Sequence, residues 1–137
     1  MEFRDDQPIY MQIADHFCEN ILLEKWKEGD RIPSVREMAV NIEVNPNTVM
    51  RTFNYLQEKG IIYNKRGIGY FVSEDGFEKT RALRKEDFVK RELPRFFKAM
   101  RLLRLTMEDI VNYFQQHANN QTHGENNKSI DNDLMTQ

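Results

Sequence analysis

Apolar and polar positions along the 137 residues fall into helical and strand-like periods that follow one another in a definite order. Ile9, Ile13, Phe17 and Ile21 recur at four-residue spacing, with Ala14 and Leu22 beside them, and predict a helix over residues 8–26. Pro8 suits its first turn, and Gly29-Asp30 ends the segment. A short second helix is expected after Ser34. Ser34 and Glu37 have the spacing of a capping box, and Val35, Met38, Ala39 and Ile42 make one apolar stripe. Pro33 disfavours helix at Ile32. After the break Glu43-Val44-Asn45 a third helix is expected, with Asn45 as N-cap and Pro46 as its first residue. Val49, Phe53 and Leu56 form its inner face, and Gly60 is its left-handed stop.

The period then changes from helical to β. Ile61-Ile62-Tyr63 and Tyr70-Phe71-Val72 are β-prone, and two glycines in the intervening Asn64-Lys65-Arg66-Gly67-Ile68-Gly69 predict a hairpin. Residues 77–104 return to helical spacing. Val89, Leu93, Phe96 or Phe97, Met100 and Leu103 alternate at heptad-like intervals, and Pro94 should kink or divide the helix. Thr106 caps a last helix with Asp109 at its third position and Met107, Ile110, Val111 and Phe114 on its apolar face. From Ala118 onward Asn, Gln, Asp and Ser dominate, the composition of a disordered tail.

Helix, short helix, tight turn, helix and hairpin is the order of a winged helix-turn-helix. The expected fold is therefore mainly α with a small β-hairpin. A winged helix-turn-helix occupies residues 8–75, a helical dimerisation segment residues 76–117, and a disordered polar tail residues 118–137.

Composition narrows the class. Charged residues are 31% and hydrophobic ones 39%, and no run nears the roughly 20 apolar residues of a membrane helix. The acidic start Met1-Glu2-Phe3-Arg4-Asp5-Asp6 lacks the apolar core of a secretory signal, so the expected place is the cytoplasm. Cys18 is the one cysteine, which excludes an internal disulfide and a CxxC metal site. It adjoins the stripe of the first helix and reads as a half-buried small residue. His16, His117 and His123 have no metal-ligand spacing. No Ser/His/Asp arrangement is present, and Gly67-Ile68-Gly69 belongs to the hairpin rather than to a nucleotide loop. An enzyme, a cofactor and a metal are thus not expected.

The net charge of −2 is unevenly spread: residues 1–30 carry −5, residues 31–73 carry +3, and residues 77–117 carry +4. A locally basic middle is what a groove-binding face requires, and ordinary surface variation also produces it. The third helix has a first turn with free N–H groups, able to enter a major groove. Asn45, Asn47 and Thr48 suit base edges or phosphate oxygens, and Arg51 one turn later supplies a charged donor. Arg36 leaves the second helix toward the expected backbone side, and the cationic tip Lys65-Arg66-Gly67 is narrow enough for a minor groove. Each has a plainer reading. Arg36 is a solvated residue, Asn45 and Thr48 cap, Arg51 pairs with Glu58 or Glu43, Lys65 and Arg66 are a solvated turn, and Gly67 and Gly69 supply positive φ. Tyr10, Phe17, Phe53, Tyr55 and Phe71 read as core. Periodicity alone leaves a DNA reader and a protein-interaction module both open.

Four blocks carry a resemblance: Pro8-Ile9-Tyr10-Met11-Gln12-Ile13, Gly29-Asp30-Arg31-Ile32-Pro33-Ser34-Val35-Arg36-Glu37-Met38-Ala39, Val44-Asn45-Pro46-Asn47-Thr48-Val49 and Gly67-Ile68-Gly69-Tyr70-Phe71-Val72. In order and spacing they resemble the N-terminal DNA-binding domain of GntR-family bacterial transcription regulators. The short C-terminal part is similar to the YtrA-like subgroup, which has a brief helical dimerisation segment in place of a large effector domain. The resemblance implies a homodimeric repressor of a nearby operon, such as a transporter operon, bound to a pseudo-palindromic double-stranded operator. It implies DNA contacts from Arg36, from Asn45, Asn47, Thr48 and Arg51, and from the wing residues Lys65, Arg66 and Gly67. Met50 departs from the arginine that many relatives outside this subgroup carry, so their operator sequences do not transfer.

The basic run from Arg81 to Arg104 reads as the outer face of the dimer helix or as a flank contact to DNA. The apolar positions Val89, Leu93, Phe96, Phe97, Met100, Leu103, Ile110, Val111 and Phe114 exceed what two short helices can bury against each other. A second copy is their natural cover. A small-molecule effector would sit between the paired helices, and no residue pattern specifies one.

Overall fold

A computed structural model describes residues 1–135, with side chains through Thr122. The elements are α1 (Ile9–Leu22), α2 (Val35–Ile42), α3 (Pro46–Glu58), β1 (Ile62–Lys65), β2 (Gly69–Val72), α4 (Gly76–Asp87), α5 (Leu93–Leu103) and α6 (Met107–Met135), with a π-helical turn at Phe88–Glu92. Two compact units divide after Val89.

In the first unit, α1 and α3 pack their apolar faces together, as expected from the four-residue periods. Phe17 and Phe53 are both fully buried and meet edge to face at 5.3 Å. Trp26 closes on Phe17 from one side at 4.9 Å, and Tyr70 of β2 closes on Phe53 from the other at 4.7 Å. Ile13, Ile21, Val49, Leu56, Ile61 and Val72 fill the space around this aromatic row. Edge-to-face pairs add roughly 0.5–1.5 kcal/mol each beyond the burial of their area.

α1 is shorter than its periodicity predicts. It stops at Leu22, Glu24 takes the left-handed φ of 59°, and the N–H groups of Lys25 and Trp26 turn back to the Asn20 carbonyl. Burying the Trp26 ring against Phe17 requires this reversal, and a periodicity count cannot register it. Gln12, buried in α1, ties down the N-terminal segment: its amide accepts from Arg4 N–H and donates to the carbonyls of Arg4 and Gln7.

The hairpin forms where expected, in the register Ile62↔Val72, Tyr63↔Phe71, Asn64↔Tyr70 and Lys65↔Gly69. Residues 29–32 add a short third pairing that the sequence reading missed. Ile32 N–H donates to Tyr70, Val72 N–H to Asp30, and Gly29 N–H to Val72, all within 3.0 Å. The wing is thereby stitched to the loop before α2. Glycine suits position 69 because its φ of 142° is one that L side chains rarely adopt, and the Arg31 side chain lies close against it.

The unit boundary falls after Val89 rather than after Asp75. α4 is held to α1 by the half-buried pair of Arg84 with Asp15, and Thr80 is fully buried with its hydroxyl donating to the Gly76 carbonyl. Burial raises the Asp15 carboxyl above the ordinary range, and Arg84 only partly opposes it. Cys18 is fully rather than half buried, and burial pushes its thiol up to about 11. It is therefore a protonated core residue at neutral pH.

Pro94 divides the C-terminal helical stretch as expected. It lacks the N–H for an α-type bond, and the chain passes through the π turn immediately before it. In the second unit α5 ends on Arg104 in the left-handed conformation, and α6 begins with a complete capping box. Asp109 N–H donates to the Thr106 hydroxyl, and Thr106 N–H donates to the Asp109 carboxylate. The Thr106 N–H, helped by the Thr106 side chain, holds the Asp109 carboxyl below its usual range. The tail expected from residue 118 is replaced by a continuation of α6 to Met135. Thr136, Gln137 and the side chains beyond Thr122, His123 among them, lie outside the described residues.

Phe53→Ala should cost about 3–5 kcal/mol, the usual loss for a large aromatic in a tight core. In a unit this small that abolishes a cooperative melt followed by circular dichroism near room temperature.

Candidate nucleic-acid interface

α3 is fixed at both ends and along one side. Asn45 caps it, its Oδ1 accepting from Asn47 N–H at 2.8 Å, and Pro46 occupies the first turn. Val49, Thr52, Phe53 and Leu56 are buried, and the Thr52 hydroxyl donates to the Tyr10 carbonyl of α1 at 2.8 Å. The opposite face, Asn47, Met50, Arg51 and Asn54, is exposed at the spacing of one helical stripe. Thr48 lies half-buried beside it. Asn54 is an addition to the expected residues. Its signal was available in the sequence, since it stands seven positions after Asn47 and three after Arg51 on the same helical stripe.

α2 is set against α3 by a tight reversal. Glu43 takes a φ of 55°, and Val44 N–H returns to the Ala39 carbonyl at 3.0 Å. Ser34 caps α2, its hydroxyl accepting from Glu37 N–H at 3.0 Å. Arg36 stands exposed in the first turn of α2. The pair α2–α3 is thus a helix-turn-helix, its second helix offering a polar face and its own N-terminus to solvent.

Arg51 does not pair with Glu58 or Glu43. Its guanidinium lies over the ring of Tyr10, Cζ at 4.0 Å from the ring centre. Tyr10 is half-buried, so the expectation that it is simply core is only partly met. Phe71, also half-buried, stacks on Tyr63 at 5.7 Å and carries Lys65 Nζ 5.0 Å from its ring centre. Arg66 and Gly67 form the exposed tip, and Gly67 has the positive φ of 79° that the turn needs. Arg31 joins this cationic edge. It pairs with Phe71 of β2 and lies against Gly69, a placement that becomes visible only once the third pairing is known.

The sequence pattern of "Bacterial regulatory proteins, gntR family" matches residues 9–72, the span from the start of α1 to the end of β2. The uncharacterized HTH-type transcriptional regulator YhcF of Bacillus subtilis is 38% identical over 110 residues, covering 80% of this chain and 89% of the relative. The chain belongs to the GntR family. A crystal structure of a GntR-family regulator from Bacteroides thetaiotaomicron is 45% identical with a TM-score of 0.69, over 82% of this chain and 98% of its own. The HTH-type transcriptional repressor YtrA of Bacillus subtilis is 44% identical over 72 residues, 53% of this chain and 55% of YtrA. GntR regulators bind DNA through their helix-turn-helix, and they are transcription regulators rather than enzymes. The α2–α3 pair and the hairpin are the GntR winged helix. Among the described residues no helix is long and apolar enough to cross a membrane.

The Asn45 cap separates a structural from a binding role. Asn45→Ala should cost about 1 kcal/mol and lower the melting temperature by roughly 4–8 °C, while Asn45→Asp retains the cap and the melt.

Proposed function

We propose that this GntR regulator is a homodimeric, sequence-specific repressor that reads a pseudo-palindromic operator with the N-terminal part of α3. The carrying observation is the division of α3 into a fully buried inner face and an exposed Asn47, Met50, Arg51 and Asn54 face. Such a helix presents a rigid row of donors whose geometry is set before DNA arrives. Asn47, Thr48 and Arg51 address base edges, Asn45 lies at the entering tip, and Met50 offers an apolar contact of the kind thymine methyl groups accept. Arg36, Lys65 and Arg66 address phosphates, with Gly67 allowing close approach of the wing. A reader of chromosomal DNA works in the cytoplasm.

Pairing of two copies is supported by the second unit. No residue of α5 is buried. Phe96, Phe97, Leu103, Val111 and Phe114 are exposed, as is Val89 at the end of the first unit, while Leu93, Met100 and Ile110 are half-buried. Leu102, Met107 and Tyr113 enlarge the exposed apolar area. A surface of this kind is covered by a second copy through the same patch. Two heads held in this way read half-sites about one helical turn, roughly 34–36 Å, apart.

The deciding experiment is a gel shift with the region upstream of the gene, run at two salt concentrations and followed by footprinting. A specific complex that weakens steeply with salt is expected. Salt-independent or absent binding would leave a protein-interaction module as the reading. Arg51→Ala should lose about 1–3 kcal/mol on the footprinted site and far less on random DNA. Equal losses on both would remove Arg51 from base readout. A double variant Phe97→Asp/Val111→Asp is expected to sediment as a monomer at micromolar concentration and to lose the two-half-site footprint. A variant that remains a dimer would place the pairing surface elsewhere.

A further inference from the structure

We propose that Tyr10, at the start of α1, is a positioning residue for sequence readout: its ring face holds the Arg51 guanidinium at the groove-facing surface of α3. The inference rests on the reading that Arg51 contacts bases.

The geometry is specific. Arg51 Cζ lies 4.0 Å from the centre of the Tyr10 ring, well within the reach of a cation–π contact. Tyr10 is itself held at its backbone and at its ring. The Thr52 hydroxyl, next to Arg51 on α3, donates to the Tyr10 carbonyl at 2.8 Å, and Tyr55 meets the Tyr10 ring edge-on at 6.5 Å and 74°. Tyr10 is half-buried while Arg51 is exposed, so an anchored ring meets a side chain otherwise free to move.

The choice of partner has a chemical consequence. A carboxylate would hold Arg51 by consuming its N–H donors, and those bonds would have to break before a base could be read. Glu43 and Glu58 are the acidic residues nearest in sequence, and neither takes Arg51. A ring face attracts the cation through its quadrupole and leaves the in-plane donors unused. Those donors are the ones a guanine edge accepts from. The stack therefore orders a flexible side chain in advance while preserving its capacity to bind, which lowers the ordering cost of recognition.

The test uses the full chain and two duplexes, one enriched from a random pool by the wild-type protein and one scrambled with the same composition. Tyr10→Leu should weaken the enriched duplex about three- to tenfold, the scale of ordering one long side chain, and leave the scrambled duplex within about twofold. Tyr10→Phe keeps the ring and should remain within about twofold of wild type on both. In an Arg51→Ala background Tyr10→Leu should add no further loss. As a separate readout, the Arg51 Hδ protons of the free protein should be shifted upfield by the ring and return to ordinary values in Tyr10→Leu.

Equal losses from Tyr10→Leu with and without Arg51 would overturn the proposal, and so would unmoved Hδ shifts. If the shifts move but Arg51→Ala leaves the enriched duplex unaffected, the stack exists and the base-reading role of Arg51 is what fails, taking the proposal with it.

Discussion

The first unit depends on the aromatic row that runs from Trp26 through Phe17 and Phe53 to Tyr70. Each ring comes from a different part of the chain: the loop after α1, α1 itself, α3 and the wing. Closing the row fixes α3 against α1 and the wing against α3 in one step. A reader needs this rigidity, because a helix that shifts by an ångström on its base loses the angular precision that a bidentate hydrogen bond demands. The cost of that rigidity is met in hydrophobic burial, well away from the exposed face. The face itself is therefore left free to vary in sequence without loss of fold.

Polar contacts refine what the row establishes. The bond from Thr52 to the Tyr10 carbonyl sets the axial register of α3 on α1, and the Asn45 and Ser34 caps fix where the two helices of the reading motif begin. The pairing of residues 29–32 with β2 ties the wing to the loop that launches α2. Arg31, Lys65 and Arg66 thus share one small sheet and its turn, a cationic edge in a protein whose net charge is −2. The second unit follows the opposite logic. Its capping box and left-handed stop define two helices well, yet among the described residues their large apolar side chains are exposed or only half-buried.

Much of this was legible in the sequence because local physics and tertiary need agree there. The caps at Ser34, Asn45 and Thr106, the stop at Gly60 and the glycine-marked hairpin are short-range signals, and each appears where it was read. The misses share a different cause. The early end of α1 follows from a Trp26–Phe17 contact, the third pairing from the meeting of residues 29–32 with β2, and the attachment of α4 from the Arg84–Asp15 pair across 69 positions. None of these leaves a periodic trace. The Arg51–Tyr10 stack is hidden in the same way, since its partners lie on different helices and the nearer carboxylates looked equally suitable. The polar composition after residue 118 suggested disorder, yet the helix begun at Met107 continues through it.

The central claim is that the N-terminal part of α3 is the DNA-reading surface, and mapping amide NMR shifts of the labelled protein on addition of an enriched duplex tests it most directly. The account predicts that the largest changes cluster at residues 45–51 and at the wing tip, residues 65–67, with Arg36 beside them, while the buried row stays unmoved. Changes confined to α5 and α6, or spread evenly over the surface with residues 45–51 silent, would contradict it.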